Sequence, residues 1–178
     1  FSTPNTITAL PMNPIFADGR ITSIVINPDA TKVAISGNFT AVNGSSNPGY
    51  GMYMMDAVSG AQLPMPVNSV VRDAGGNSST RKLATDGVNI YGTGWHYGSA
   101  GTTESMWAAS WSDGELYYMA DCHGDTYDVY PAADAVYIAS HTHYCGSSGG
   151  FNEWQPRAYM HSTAFSKTPR CAARWPAS

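Results

Sequence analysis

His141-Thr142-His143 sets two histidines two residues apart. Side chains alternate along a strand, so both imidazoles would fall on one face. His123 and Asp125 lie in the stretch Cys122-His123-Gly124-Asp125. A disulfide between Cys122 and Cys145 would draw that stretch toward the histidine pair. Histidines joined by a carboxylate are a donor set for zinc or a similar divalent ion. The plainer reading makes them polar residues at a sheet rim, bonded to backbone.

Aromatics are the second group: Trp95-His96-Tyr97, Trp107, Trp111, Tyr117-Tyr118, Tyr144 and Trp154. Sugars stack on aromatic faces and bond to Asn, Asp and His beside them. Trp107 and Tyr117 sit at alternating strand positions and are expected in the core. Trp95, His96, Tyr97 and Trp154 border glycine-rich loops, where a rigid scaffold presents binding groups; they are the candidate ligand contacts. The sequence has no G-x-S-x-G, no H-E-x-x-H, no G-x-x-x-x-G-K and no D-x-[DN]-x-[DN]-G calcium loop. Asp18-Gly19 and Asp113-Gly114 therefore read as turns. Glu104, Glu115 and Glu153 fall on loops or turns, and nothing marks two of them as a facing pair for glycoside hydrolysis.

What must position these groups is a chain of strands. Charged residues are only 12% and hydrophobic residues 43%, while Gly numbers 18, Pro 11 and Tyr 11. Such a composition favours strands and turns over helices. A net charge of −4 with nine scattered Lys and Arg gives no electrostatic grip on nucleic acid. No apolar run reaches the roughly 20 residues that span a bilayer as a helix. Three cysteines without a C-x-x-C pair argue against a structural zinc site and fit an oxidising compartment, with Cys122–Cys145 the first pairing and Cys171 left over. Asn38-Phe39-Thr40, Asn43-Gly44-Ser45 and Asn77-Ser78-Ser79 are glycosylation sequons of no weight in a Ser/Asn-rich chain. The chain opens on Phe1 without a signal-peptide pattern, as expected of a processed product or an excised fragment.

Residues 19–44 show the unit. Ile21 to Ile26 alternates with strand period, Asn27 to Lys32 is a polar turn, and Val33 to Phe39 is a second strand. Met52 to Met55 makes a third strand, and residues 61–67 a fourth, interrupted by proline and so confined to an edge. The frame returns at Val88–Trp95, Met106–Ala109 and Leu116–Met119. It returns again at Val136–Tyr144 and Ala158–His161, with residues 171–178 as outer strand or tail. Val33, Val88 and Val136 each follow a turn holding Asp29, Asp86 or Asp134, and Gly37, Gly92 and Ser140 lie four places on. Tyr53, Trp107 and Tyr159 mark the next strand. A period of about 50 residues with four strands per unit is a propeller signature. A plain two-sheet sandwich is the alternative; a helical solenoid is excluded by composition.

Val25 to Gly44, VINPDATKVAISGNFTAVNG, resembles the bacterial delta-sixty repeat of β-propellers. Pro28, Asp29, Lys32, Gly37, Phe39, Val42, Asn43 and Gly44 match its P-D-G-K turn, G-G-x-F stretch and V-N-G close. Ser36 replaces the first glycine of G-G-x-F, and Ala30-Thr31 replace the turn glycine. The later repeats keep the frame and lose the V-N-G close. The resemblance implies a secreted or cell-surface propeller and no catalytic residues.

The expected fold is thus all-β, a partial propeller of about three four-stranded antiparallel blades in one domain, near residues 19–70, 71–122 and 123–178. Residues 1–18 form an end strand or a remnant of a preceding blade, with Leu10, Met12 and Phe16 available to pack on the first. Three blades do not close a ring, so the rest is expected from a longer chain or from other copies. The expected function is a non-catalytic binding or structural scaffold for a glycan or surface protein. Two alternatives stand beside it. One is a secreted polysaccharide lyase or hydrolase using His123, His141 and His143. The other is a structural subunit of a surface assembly.

Overall fold

A computed structural model describes residues 13–72, 78–96, 104, 106–120, 122–132, 135–140, 144–145, 158–162 and 171–175. Residues 96, 122–123, 144–145, 158–162 and 171–175 are described through their backbone. The elements, in order, are β1 (Ile21–Ile26), β2 (Lys32–Gly37), β3 (Met52–Asp56), β4 (Gln62–Leu63), α1 (Val67–Val71), β5 (Ser78–Thr85), β6 (Asn89–His96), β7 (Met106–Ser110), β8 (Leu116–Met119), β9 (Cys122–His123), β10 (Thr126–Ala132), β11 (Ala135–Ser140), β12 (Tyr144–Cys145), β13 (Ala158–Ser162) and β14 (Cys171–Trp175).

The fold is all-β. Three four-stranded antiparallel sheets follow one another along the chain, ordered β1-β2-β3-β4, β5-β6-β7-β8 and β10-β11-β13-β14, with a two-stranded ladder of β9 and β12. Each four-stranded sheet runs up and down without crossovers. The first strand of each lies against that of the next, β1 on β5 and β5 on β10.

The core lies between successive sheets. Ala34, Met52 and Met54 of the first meet Leu83, Ile90, Trp107 and Ala109 of the second. The second sheet's other face, with Tyr91, Met106 and Ala108, meets Val129, Val136 and Ile138 of the third. Burying both faces of a strand explains why β2, β3 and β7 are nearly continuous runs of buried residues. The first sheet's outward face, with Val33, Ile35, Tyr53 and Met55, is covered by Phe39, Val42 and Phe16. Phe16 meets Phe39 edge to face at 4.8 Å. Residues 13–18 form no end strand: Phe16 makes one isolated bridge, to Val42. Leu10 and Met12 lie outside the described residues.

Three pairs fix the equivalence of the repeats: Ile35 opposite Tyr53, Gly92 opposite Trp107 and Ile138 opposite Tyr159. The three aromatics do hold one position. The counterpart of Val33 and Val136 is, however, Ile90 rather than Val88. Val88 is 71% exposed in the Asp86 turn, where Gly87 takes φ +94°. That turn holds two more residues than expected, so the small residue four places on is Gly94. Asp134 lies outside the described residues. The strand expected over Val136–Tyr144 divides: β11 ends at Ser140, and Tyr144 belongs to β12.

The fourth strand of the first repeat is only Gln62–Leu63, after which α1 begins behind Pro66. Asn68 on α1 is fully buried; its Oδ1 accepts from Gly49 N (3.1 Å) and its Nδ2 donates to the Tyr50 carbonyl (2.8 Å). The first hairpin is closed by side chains: Asn27 Oδ1 accepts from Thr31 N (2.9 Å) and Lys32 N (2.7 Å). Ala30 in the same turn takes φ +56°. Lys32 then reaches the second sheet, its Nζ donating to the carbonyls of Trp111 (2.6 Å) and Ser112 (3.0 Å).

Tyr117 corrects an expectation. Trp107 is buried at 1% exposure, but Tyr117 is 54% exposed and Tyr118 is the core residue. Ala108 pairs with Tyr118 and Ala109 with Leu116, leaving Tyr117 as the extra residue of a bulge.

Candidate functional site

The first hairpin of every sheet carries a register shift at the same place: between Ile21 and Ser23, between Thr80 and Leu83, and between Thr126 and Asp128. A bulge leaves a residue off the ladder and re-aims its side chain. The residues so released are Thr22, Arg81 with Lys82, and Tyr127. Because the first strands lie side by side, three of these side chains come together at one end of the sheets. Thr22 Oγ1 donates to the Thr80 carbonyl at 3.5 Å, and the Arg81 guanidinium lies 5.3 Å from the Tyr127 ring centroid.

Around this point opens a cavity of about 200 Å³ lined by Arg20, Thr22, Asn38, Ser79, Arg81 and Trp95. Its walls are held from behind. Asn38 Oδ1 accepts from Arg20 N (2.8 Å), and Asn38 N donates to the Arg20 carbonyl (3.0 Å). Ser79 Oγ donates to the Gly37 carbonyl at 2.6 Å, tying the second sheet to the first. Arg81 is steadied on two sides, 5.5 Å from the Trp95 ring and 5.3 Å from Tyr127. Such cation–π contacts are worth about 0.5–1 kcal/mol each when exposed. Asp125 Oδ2 stands 3.8 Å from Arg81 Nη2, close enough to attract and too far for a hydrogen bond. With Arg81 43% and Asp125 22% exposed, that pair contributes under about 1 kcal/mol. Arg20 has no carboxylate partner among the described residues.

A second concavity of about 490 Å³ lies at the outer edge of the first sheet, against Pro48, Leu63, Pro64 and Pro66. No charged side chain lines it.

The expected site residues divide accordingly. Trp95 lines the first cavity. His96 ends β6 opposite Ser78, its backbone alone described. Tyr97, Trp154, His141 and His143 lie outside the described residues. Asp125, a candidate metal ligand, faces Arg81. The backbone ladder sets Cys122 opposite Cys145 and His123 opposite Tyr144. Among the described residues no three His, Cys, Asp or Glu side chains gather as a metal set. Glu104 Oε2 accepts from Gly124 N at 2.8 Å, beside the Arg81–Asp125 pair. Among the described residues no helix is long and apolar enough to cross a membrane.

Arg20, Thr22, Asn38, Ser79 and Arg81 went unmarked in the sequence. A weak signal existed. Three of the nine Lys and Arg stand beside or within the first strands of consecutive repeats, in Arg20-Ile21-Thr22-Ser23 and Thr80-Arg81-Lys82-Leu83.

A different titratable pair sits away from this cavity. Tyr91 Oη donates to Asp86 Oδ2 at 2.6 Å. Partial burial pushes the Asp86 carboxyl up, but hydrogen bonds from Tyr91, Asn89 and Val88 together outweigh it and hold it below the usual range. Burial, and then the Asp86 bond, push the Tyr91 phenol well above its ordinary value. The pair locks the second hairpin turn.

No family model, curated protein or solved structure matches the chain.

Proposed function

We propose that this chain is a partial β-propeller of three blades, secreted or held at the cell surface, and that it is a non-catalytic binding scaffold for a glycan or surface protein. The propeller reading is supported by three up-and-down sheets stacked face to face, with first strands adjacent and one bulge repeated in each. Exposed Tyr130 (69%) and Tyr137 (39%) on the third sheet favour further blades, or other copies, beyond it. The ladder register of Cys122 and Cys145 favours their disulfide.

The observation that carries the binding role is the convergence of bulge residues on one cavity. Thr22 and Arg81, released by bulges in two successive sheets, both line it, and Tyr127, released in the third, lies behind Arg81. The Thr22 and Ser79 hydroxyls that line it are bonded to backbone carbonyls, and its described lining holds no carboxylate, histidine or cysteine. The test is binding of the 178-residue chain to a glycan and surface-protein array, repeated with Trp95→Ala. Signals that vanish in the variant uphold the reading. Signals that persist unchanged place binding elsewhere and refute it.

A further inference from the structure

From the cavity's chemistry we infer that it takes an acidic sugar, held through its carboxylate by Arg20 and Arg81. The inference rests on the glycan-binding reading and narrows it. Trp95 is the aromatic a neutral sugar would stack on, but the Arg81 guanidinium already stands over its ring at 5.5 Å. What the cavity offers instead is N–H donors: two guanidinium groups and the Asn38 amide, while the Thr22 and Ser79 hydroxyls beside them give their hydrogens to backbone carbonyls. Trp95 and Tyr127 flank the Arg81 guanidinium at 5.5 and 5.3 Å, and a guanidinium can form a forked pair with a carboxylate. Asp125 offsets one positive charge at 3.8 Å, and Arg20 is the second. The described lining itself carries two positive charges and no carboxylate, on a chain of net charge −4; Asp125 and Glu104 stand behind Arg81 rather than in the lining. About 200 Å³ is below the range for drug-sized ligands and matches one sugar ring with the chain leaving through the mouth. A planar anion on a small ring is therefore the complementary ligand.

Titration calorimetry at low salt tests this. The probes are uronate tetrasaccharides of galacturonic, guluronic, mannuronic and glucuronic type, each beside its neutral hexose counterpart. At least one uronate is expected to bind, and its neutral counterpart at least about tenfold more weakly, the value of one charge-assisted pair. Arg20→Gln, at an exposed residue whose guanidinium has no bonding partner among the described residues, is expected to weaken uronate binding about tenfold and flatten its salt dependence. Arg81→Gln is expected to do the same, with unchanged circular dichroism as the check on folding. Equal binding of neutral and acidic partners, or affinity indifferent to Arg20→Gln, overturns the acidic-sugar assignment while glycan binding stands. Binding of none of the eight sugars overturns the assignment too. Silence across the whole array as well removes the binding reading itself.

Discussion

Gly92→Ala is the sharpest probe of how these sheets pack. Gly92 pairs directly with Trp107 across β6 and β7, and the indole folds over the bare backbone. A Cβ built at Gly92 would collide with Cζ2 and Cε2 of that ring and lie 2.7 Å from Nε1. Trp107 is 1% exposed and packed among Leu83, Ile90, Ala109 and Trp111, so it has nowhere to swing. Overpacking of this kind costs about 3 kcal/mol or more. Alanine returns about 0.5–1 kcal/mol through its smaller unfolded-state entropy. The net loss is then about 2–3 kcal/mol, which lowers Tm by about 4–12 °C in a chain of this size. Urea unfolding followed by tryptophan fluorescence measures it. Trp107→Leu alone should also destabilise, by about 3 kcal/mol, although Trp107 Nε1 has no hydrogen-bond partner and so gives up no bond. The double variant should lose at least about 1 kcal/mol less than the two singles together, because the smaller side chain leaves room for the methyl. A Gly92→Ala loss within about 0.5 kcal/mol, or strict additivity, would falsify the idea that this glycine exists to seat that ring.

Other expectations follow from the turns. Ala30→Gly should raise stability by about 0.5–1 kcal/mol, since φ +56° strains an L side chain; no gain in the urea midpoint means the turn relaxes on its own. Lys32→Met should cost about 1–2 kcal/mol, because it removes two charge-assisted bonds that clasp the second sheet. An unchanged midpoint would show that those carbonyls are equally well served by water. The Asp86–Tyr91 pair limits stability at both ends of the pH scale. Asp86 lies below its ordinary 3.8, so its contribution is present above about pH 4 and is lost as pH falls further. Tyr91 lies above its ordinary 10.0, so its contribution is present below about pH 10 and is lost as pH rises. Asp86→Asn should shallow the acid limb and Tyr91→Phe the alkaline limb of midpoint against pH; parallel profiles would count against the pair.

How much of this was legible in the sequence turns on the difference between slips of one residue and of two. Strand faces repeat every two residues. The second repeat was placed two residues early, at Val88 in place of Ile90, a slip that leaves the faces of the β6 positions unchanged. Trp107 was therefore read rightly as core, and Leu116–Met119 was bounded as found. At Tyr117 a single extra residue inverts the face, and the side chain expected inside points out. Helix α1 escaped notice because five residues after a proline carry too little periodicity to distinguish a helix from an edge strand.

The same arithmetic explains why the cavity could not be read from the chain, although its scaffold could. Its residues come from the ends of β1, β2, β5 and β6, separated by some 60 positions, and two of them, Thr22 and Arg81, are aimed by bulges. A bulge leaves no mark in composition and breaks the alternation on which strand reading depends. The three bulges align because the sheets stack with one register, and that register is set by core pairs such as Ile35–Tyr53 and Gly92–Trp107. The core thus fixes where the released side chains meet, while their identities remain free of packing. Thr22, Arg81 and Tyr127 differ in every repeat, as positions freed from the ladder can. A cavity lined this way can change its chemistry by substitution at Thr22 or Arg81 without disturbing the sheets that carry it. Arg81 is accordingly where a change of charge should alter recognition most, at the cost of its two ring contacts and its attraction to Asp125.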